Sequence, residues 1–537
     1  MDTPGEFHVY DTTLRDGAQQ EGLNLSVTDK LTIARQLDEL GVGYIEGGWP
    51  GANPKDTRFF ARARDELSLR HACLTAFGAT RRVGVAAADD PLIAALRDSG
   101  ASVVTLVAKS HPRHVDLALR TTRAENLEMV RDTVSHLVGE GQRVFLDAEH
   151  FFDGYRADRD YALEVLRTAY TAGAEVVALC DTNGGMLPGW VADVVHDVVE
   201  ATAGSGGRVG IHCHNDTGCA VANTLAAVEA GATHVQGTIN GYGERTGNAD
   251  LVAVVANLEL KLDRAVLPDG LLGEATRIAH AVAEVTNVPP ASRQPYVGAS
   301  AFAHKAGLHA SAIKVDPGLY QHMDPVGVGN DMRLLVSDMA GRASIELKGR
   351  ELGYDLSGDR DLVDRLTARV KELEGRGYTF EAADASFELL LAQEVDGRRP
   401  SFVEVESWRV ITETLTYARE GEEAVSEATV KLRADGVRYV ETGEGNGPVN
   451  ALDQALRHAL VQAYPEVAKF ELVDYKVRIV DQGHGTDAMT RVLIETADGV
   501  ASWVTVGVGH NVVEASWEAL LDGITFGLRR LRRGQAG

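Results

Sequence analysis

The residues best suited to catalysis lie in short polar segments that directly follow apolar runs. The first segment, Asp11-Thr12-Thr13-Leu14-Arg15-Asp16-Gly17, places a fixed cation, Arg15, next to a carboxylate, Asp16. A guanidinium can stabilise a negative charge that develops in a reaction, and a carboxylate oxygen can ligate a divalent cation. An isolated Arg-Asp pair is also typical of a surface arginine beside an aspartate that caps a turn, so this segment needs support from others.

The second segment is Ile211-His212-Cys213-His214-Asn215-Asp216. Alternate side chains of a strand point to the same face, so His212 and His214 can share one metal ion while Cys213 points away. A His-x-His pair alone is equally compatible with two structural histidines. In a third segment, residues 240–248, Asn248 can offer an amide oxygen to the same cation.

Asp16, His212, His214 and Asn248 together form a mixed nitrogen and oxygen ligand set. Such a set leaves positions free for water or substrate, which favours a catalytic divalent cation over a closed structural zinc site. Ligands of this kind accept Mg²⁺, Mn²⁺ or Zn²⁺, and the sequence does not choose among them.

Other polar residues are weaker candidates when each is considered alone. Glu149 shares a strand face with Asp147, so one of the two can contact substrate while the other supports it through hydrogen bonds. Thr182 follows the next apolar run and is a candidate donor to a carboxylate. Farther along, His309 and Tyr320 lie in a segment whose histidines, by sequence alone, are typical of an ordinary loop or helix.

A repeated pattern predicts the elements that must position these residues. A β-branched or apolar run, a polar loop and a stretch with helical spacing follow one another eight times, which predicts parallel βα units. The predicted strands are residues 7–12, 42–47, 72–77, 102–108, 143–148, 175–180, 208–212 and 234–239. The economical fold is an α/β protein with a (β/α)₈ TIM barrel, whose chemistry is expected at the C-terminal ends of the strands.

The pattern changes after the barrel, for which residues 1–265 are predicted. Residues 266–395 are predicted to form a helical extension, and residues 400–537 an α+β regulatory and dimerisation domain. In that domain, strands are predicted at 407–416, 427–434, 475–480, 491–496 and 502–506, with helices at 448–463 and 512–530. Gly443-Glu444-Gly445-Asn446-Gly447-Pro448 lacks the spacing of a nucleotide-binding loop and is interpreted as a flexible turn before a helix that begins at Pro448.

Composition excludes several classes of partner. The 78 acidic residues outnumber the 53 Lys and Arg residues, giving a net charge of −25 that repels nucleic acid. No stretch approaches the ~20 apolar residues that span a membrane. The four cysteines show no Cys-x-x-Cys spacing, so we expect free thiols and a cytoplasmic protein.

Several of these motifs together resemble one family. Residues 11–17, 212–216, 241–248 and 307–311 are similar to the isopropylmalate and homocitrate synthase family, metal-dependent TIM-barrel enzymes that condense acetyl-CoA with a 2-oxoacid. Residues 48–56 and 148–155 look most like the citramalate synthase branch of that family. Residues 447–452 and Asp481-Gln482-Gly483 resemble its regulatory, dimer-associated domain.

The resemblance implies roles for the residues named above. Asp16, His212 and His214 would hold the metal, with Asn248 as a further or water-mediated ligand. Arg15 would stabilise the oxyanion, Thr182 would bind the oxoacid carboxylate, and His309 would remove a proton from acetyl-CoA with help from Tyr320 and Glu149. The substrates would be acetyl-CoA and pyruvate, the effector isoleucine, and the assembly a homodimer.

Two alternatives to this reading stay open from the sequence. One is an isopropylmalate-type synthase that uses another 2-oxoacid. The other is a non-catalytic relative that only senses a small amino acid, against which the intact Arg15, Asp16, His212, His214 and His309 argue.

Overall fold

The computed structural model describes residues 7–412, 425–480 and 488–535. The chain folds as two compact units, one formed by Met1–Phe302 with Met323–Asp331 and the other by Ala303–His322 with Met332–Gly537. No helix among the described residues is long and apolar enough to cross a membrane. The domain boundaries near residues 265 and 400 stay predictions.

The first unit is built on a closed barrel of eight parallel strands joined in chain order, which confirms the predicted TIM barrel. Each strand begins and ends within three residues of its predicted position. The strands β1 to β8 are His8–Asp11, Tyr44–Glu46, Cys73–Ala79, Val103–Lys109, Arg143–Glu149, Val176–Asp181, Arg208–Cys213 and His234–Gly237. The barrel closes through the parallel pairing of β1 with β8, in which His8 lies opposite His234.

Amphipathic helices surround the barrel and supply most of its core. The helices α1 to α11 are Val27–Leu40, Pro54–Glu66, Pro91–Arg97, Pro112–His114, Arg123–Gly139, Phe151–Ala157, Arg159–Ala172, Pro188–Ala201, Ala220–Glu229, Leu251–Leu260 and Ala275–Thr286. In α1 the side chain of Ser26 accepts a hydrogen bond from the backbone N–H of Asp29, and the Asp29 side chain accepts one from the backbone N–H of Ser26. This capping box explains why α1 begins at Val27, directly after Ser26.

The second unit begins with short elements and helices. The strands β9 and β10 pair in parallel, and four helices follow or flank them. These elements are β9 Ala303–His304, α12 Gly307–Ile313, β10 Arg333–Leu334, α13 Arg342–Glu351, α14 Arg360–Gly375 and α15 Asp384–Asp396.

The C-terminal part of the second unit contains two antiparallel sheets of three strands, each followed by one long helix, as predicted for an α+β domain. The first set is β11 Val403–Thr412, β12 Ser426–Ala434, β13 Val437–Gly445 and α16 Pro448–Ala463. The second set is β14 Glu471–Ile479, β15 Thr490–Ala497, β16 Ser502–Gly509 and α17 Val512–Gln535. The end of the strand predicted at 407–416 and the motif Asp481-Gln482-Gly483 lie outside the described residues.

The interpretation of residues 443–448 as a flexible turn was wrong for its first half. Gly443 and Gly445 are the end of β13, a strand that the sequence analysis did not predict, whereas Pro448 begins α16 as expected. A Cβ atom on Gly443 would lie 2.4 Å from the backbone nitrogen of Ala455 in α16. Glycine is therefore required here by the close approach of strand and helix, and it does not mark a loop.

Candidate metal and substrate site

The C-terminal ends of the barrel strands surround a cavity of about 620 Å³. Six of the residues singled out in the sequence line it: Arg15, Asp16, Glu149, Thr182, His212 and His214. They come from four loops and strand ends that are far apart in the chain. The barrel brings them together because all parallel strands end at the same rim.

Asp16, His212 and His214 form a buried cluster whose potential ligand atoms all lie within 4.8 Å of one another. The Asp16 Oδ2 atom is 3.2 Å from Nε2 of His212 and 3.7 Å from Nε2 of His214. His212 is in β7 and His214 directly follows it, so the alternation of side chains along a strand gives both rings the same direction. Cys213, between them, is buried in the apolar core as predicted from this alternation.

The electrostatics of this cluster favour the metal-binding protonation states of Asp16 and His214, whereas in His212 burial, which acts to lower the pKa, is outweighed by Asp16, which raises it. Burial acts to raise the pKa of Asp16, but the neighbouring Arg15 guanidinium and His212 outweigh it and hold that pKa below its ordinary value. Burial, reinforced by His212, lowers the pKa of His214 to about 4. Asp16 is therefore an anion and His214 a neutral imidazole near neutral pH, which are their metal-binding forms.

Asn248 lies beside His214, with which it forms an isolated antiparallel bridge. Its Nδ2 donates a 3.1 Å hydrogen bond to the backbone oxygen of Tyr242. This bond fixes the amide, and the buried Oδ1 has no hydrogen-bond partner among the residues that the structure describes. Because a buried amide oxygen without a partner is costly, a cation ligated here would satisfy it. The residues present thus fit a divalent cation.

Arg15 is held by a carboxylate that the sequence analysis did not single out. Its Nε donates a 2.6 Å hydrogen bond to Oε2 of the fully buried Glu46, whose other oxygen accepts a 2.7 Å bond from the hydroxyl of Tyr10. The guanidinium lies 3.8 Å above the ring of Phe77. Glu46 ends an otherwise apolar strand, and a charge in that position was the signal that could have revealed it.

Thr182 and Glu149 lie on the opposite part of the rim. The Thr182 Oγ1 accepts a 2.9 Å hydrogen bond from the backbone N–H of His150, which leaves its own O–H free to donate to a ligand. Glu149 forms an ion pair with Lys109. Asp147, two residues earlier on the same face of β5, is buried, and burial together with the nearby Glu46 raises its pKa to about 6.

His309 and Tyr320 belong to the second unit. His309 is in α12, and its ring stacks on the ring of Tyr320 with the centroids 4.1 Å apart. His304 is a further neighbour, with its ring centroid 6.0 Å from that of His309. The structure thus groups the predicted site residues in two sets, the barrel set and the pair of His309 with Tyr320.

Known proteins resemble the chain along its whole length. It matches the HMGL-like family model over residues 6–281, the homocitrate synthase post-HMGL domain-like model over 296–377 and the LeuA allosteric (dimerisation) domain model over 381–528. The (R)-citramalate synthase of Streptomyces coelicolor is 67% identical over 524 residues, which are 98% of this chain and 97% of that protein. The chain belongs to the (R)-citramalate synthase family.

Other relatives place the family in a wider group. The (R)-citramalate synthase of a Synechocystis species is 49% identical and covers 98% of this chain and 97% of its own. The 2-isopropylmalate synthase of Pyrococcus furiosus is 31% identical, with coverages of 98% and 99%. Membership of the (R)-citramalate synthase family makes the chain an acyltransferase-type condensing enzyme, which confirms the predicted enzyme class and removes the non-catalytic alternative.

Proposed function

We propose that this enzyme condenses acetyl-CoA with pyruvate and water to give (R)-citramalate and CoA, in the cytoplasm and as a step toward isoleucine. The observation that carries the proposal is the cavity in which Asp16, His212 and His214 converge beside Arg15. The relatives named (R)-citramalate synthase, 67% and 49% identical over nearly the whole chain, support pyruvate as the oxoacid.

Asp16, His212, His214 and Asn248 would hold a divalent cation, for which Mg²⁺, Mn²⁺ and Zn²⁺ are the candidates. When bound, the cation supplies Lewis acidity toward the keto oxygen of pyruvate. Arg15 stabilises the negative charge that grows on that oxygen, since its guanidinium is permanently charged and held in one direction by Glu46 and Phe77. The Thr182 hydroxyl donates a hydrogen bond to the pyruvate carboxylate.

The second half of the reaction requires removal of a proton from the methyl group of acetyl-CoA. His309 takes this proton directly or through water, and the stacked Tyr320 orients its ring. The carbon that loses the proton bonds to the keto carbon of pyruvate, and Glu149 assists proton transfer at the new hydroxyl. Water then hydrolyses the thioester and releases CoA, which makes the sequence irreversible.

The C-terminal part of the second unit controls the activity in this proposal. It holds a cavity of about 740 Å³ whose walls include apolar side chains and the ion pair of Asp453 with Arg457. An apolar wall beside fixed charges suits an aliphatic amino acid, and isoleucine is the effector we propose. The match to the LeuA allosteric (dimerisation) domain supports a homodimer that assembles through this part of the chain.

A thiol-release assay tests the proposed reaction. The full-length protein is supplied with acetyl-CoA, Mg²⁺ or Mn²⁺, and in turn pyruvate, 2-oxobutyrate, 2-oxoisovalerate or 2-oxoglutarate. We expect the highest kcat/KM with pyruvate and no release above background for the Asp16→Ala protein, which should keep its far-UV circular dichroism. A higher kcat/KM with 2-oxoisovalerate would instead assign an isopropylmalate-type activity.

A further inference from the structure

One buried amide connects the candidate metal ligands to the interior of the barrel. Gln236, in β8, is only 1% exposed, and its side chain contacts three other polar side chains. Its Nε2 donates a 2.8 Å hydrogen bond to Oδ1 of Asp147 and lies 3.3 Å from Nε2 of His234. Its Oε1 lies 2.9 Å from Nδ1 of His212.

These contacts fix which way the amide points. The Asp147 carboxylate can only accept, so it faces the NH₂ group of Gln236. The oxygen end therefore faces His212, and because an amide oxygen can only accept, Nδ1 of His212 must carry the hydrogen. The other ring nitrogen, Nε2, faces Asp16 Oδ2 at 3.2 Å, so it is the nitrogen that a cation beside Asp16 would contact.

We infer that Gln236 is a positioning residue that locks His212 in its Nδ1–H form and thereby preorganises the candidate metal site. A histidine ligand is commonly oriented through a hydrogen bond from its second nitrogen, and loss of such a partner lowers metal affinity about 10–100-fold. The inference rests on the metal site of the proposed function and adds a residue that is not itself a ligand.

The surrounding charges explain why an amide suits this position. Asp16 and Asp147 both line the barrel cavity, and the buried Glu46 is close enough to Asp147 to raise its pKa. A glutamate at position 236 would oppose the Asp147 carboxylate at hydrogen-bond distance, whereas the amide accepts from His212 and donates to Asp147 without adding charge. An apolar side chain would leave Nδ1 of His212 and Oδ1 of Asp147 without these bonds in a buried place.

The test measures binding of Mn²⁺ to the metal-free full-length protein by calorimetry, without substrate. We expect one site in the wild type and about 10–100-fold weaker binding in Gln236→Met. Gln142→Met is the matched control, because Gln142 donates to the backbone oxygen of Arg97 far from these ligands, and its affinity should equal that of the wild type.

A nearly isosteric exchange separates hydrogen bonding from simple space filling. Gln236→Glu should bind Mn²⁺ weakly, because two carboxylates then face each other. The double variant Gln236→Glu with Asp147→Asn restores one donor and one acceptor across that contact, so its affinity should recover relative to Gln236→Glu. Wild-type affinity in Gln236→Met, or no recovery in the double variant, would overturn the role of Gln236 but leave the metal site standing. A wild-type protein that binds no Mn²⁺ would overturn both the metal site and the role of Gln236.

Discussion

At the scale of single residues, the site depends on groups whose direction is fixed by buried partners. Arg15 is the clearest case, since Glu46 accepts from its Nε and the ring of Phe77 lies under its guanidinium. The Glu46 carboxylate is itself held by the Tyr10 hydroxyl. A guanidinium held in this way stabilises a growing negative charge without reorganising during the reaction.

We predict that Arg15→Lys lowers kcat about 10²–10³-fold, although the positive charge is kept. An ammonium lacks the planar fork that contacts Glu46 and stacks on Phe77, so it cannot hold one direction. Thiol release under saturating acetyl-CoA and pyruvate measures the effect, with circular dichroism as the control for folding. A kcat close to that of the wild type would show that Arg15 has no part in stabilising the oxyanion.

The candidate ligands were easier to predict from the sequence than the residues that orient them. Asp16, His212 and His214 could be predicted because their side chains are common metal ligands. The His-x-His spacing also places both imidazoles on the same face of a strand. Glu46 and Gln236 could not be predicted, because neither belongs to a motif with a recognisable spacing, and only its partners on other strands and loops of the barrel give it a role. Arg15 is 31 residues from Glu46 in the chain, and His212 is 24 residues from Gln236, so no local sequence pattern connects them.

At the scale of elements, the barrel strands were easier to predict than those of the C-terminal sheets. Parallel strands buried on both faces give continuous apolar runs, and all eight were found. β13 was missed because only one of its faces packs on a helix, and it ends in Gly443-Glu444-Gly445, residues that usually mark a turn. The same close contact recurs in the second sheet, where a Cβ on Gly507 would overlap the backbone of α17 at Ala515.

We predict that Gly443→Ala destabilises the second unit by about 1–3 kcal/mol, the usual cost of forcing an atom into a closely packed contact. The added Cβ would meet the backbone nitrogen of Ala455, which cannot move without shifting α16. Gly375→Ala in α14 is the matched control, because outside its own helical backbone and chain neighbours no atom of the described residues lies within 4 Å of its Cβ position. Urea unfolding of both variants measures the difference, and equal midpoints would contradict the packing argument.

At the scale of the whole molecule, catalysis and control are assigned to different parts of the chain. Six of the proposed catalytic and ligand residues line the barrel cavity, while the cavity proposed for isoleucine lies between β14 and α16 in the second unit. Inhibition at such a separate site requires that the effector favour one conformation, with a coupling free energy of about 1–3 kcal/mol. The change in strand pattern predicted a separate C-terminal domain. The cavity in that domain could not be predicted, because it forms only when β14 and α16 pack together.

We predict that Val449→Trp raises the isoleucine concentration for half-inhibition about 10-fold or more, the change produced by a loss of ~1.4 kcal/mol in effector binding. Val449 lies on the wall of the C-terminal cavity, and an indole there would occupy the space of the effector. Val500→Trp is the control, since Val500 is 87% exposed in the turn between β15 and β16. Thiol release against isoleucine concentration compares both with the wild type, and unchanged inhibition of Val449→Trp would place the effector site elsewhere.

The central claim, that the barrel site joins two substrates through a new carbon–carbon bond, is tested most directly by following one carbon atom. The full-length enzyme is incubated with pyruvate and acetyl-CoA labelled with ¹³C in its methyl group, and the product is analysed by ¹³C NMR and chiral chromatography. We predict (R)-citramalate with the label in its methylene carbon, since that carbon loses a proton and attacks the keto group. Label recovered only in free acetate, with equal CoA release, would show thioester hydrolysis without condensation and would contradict the proposed function.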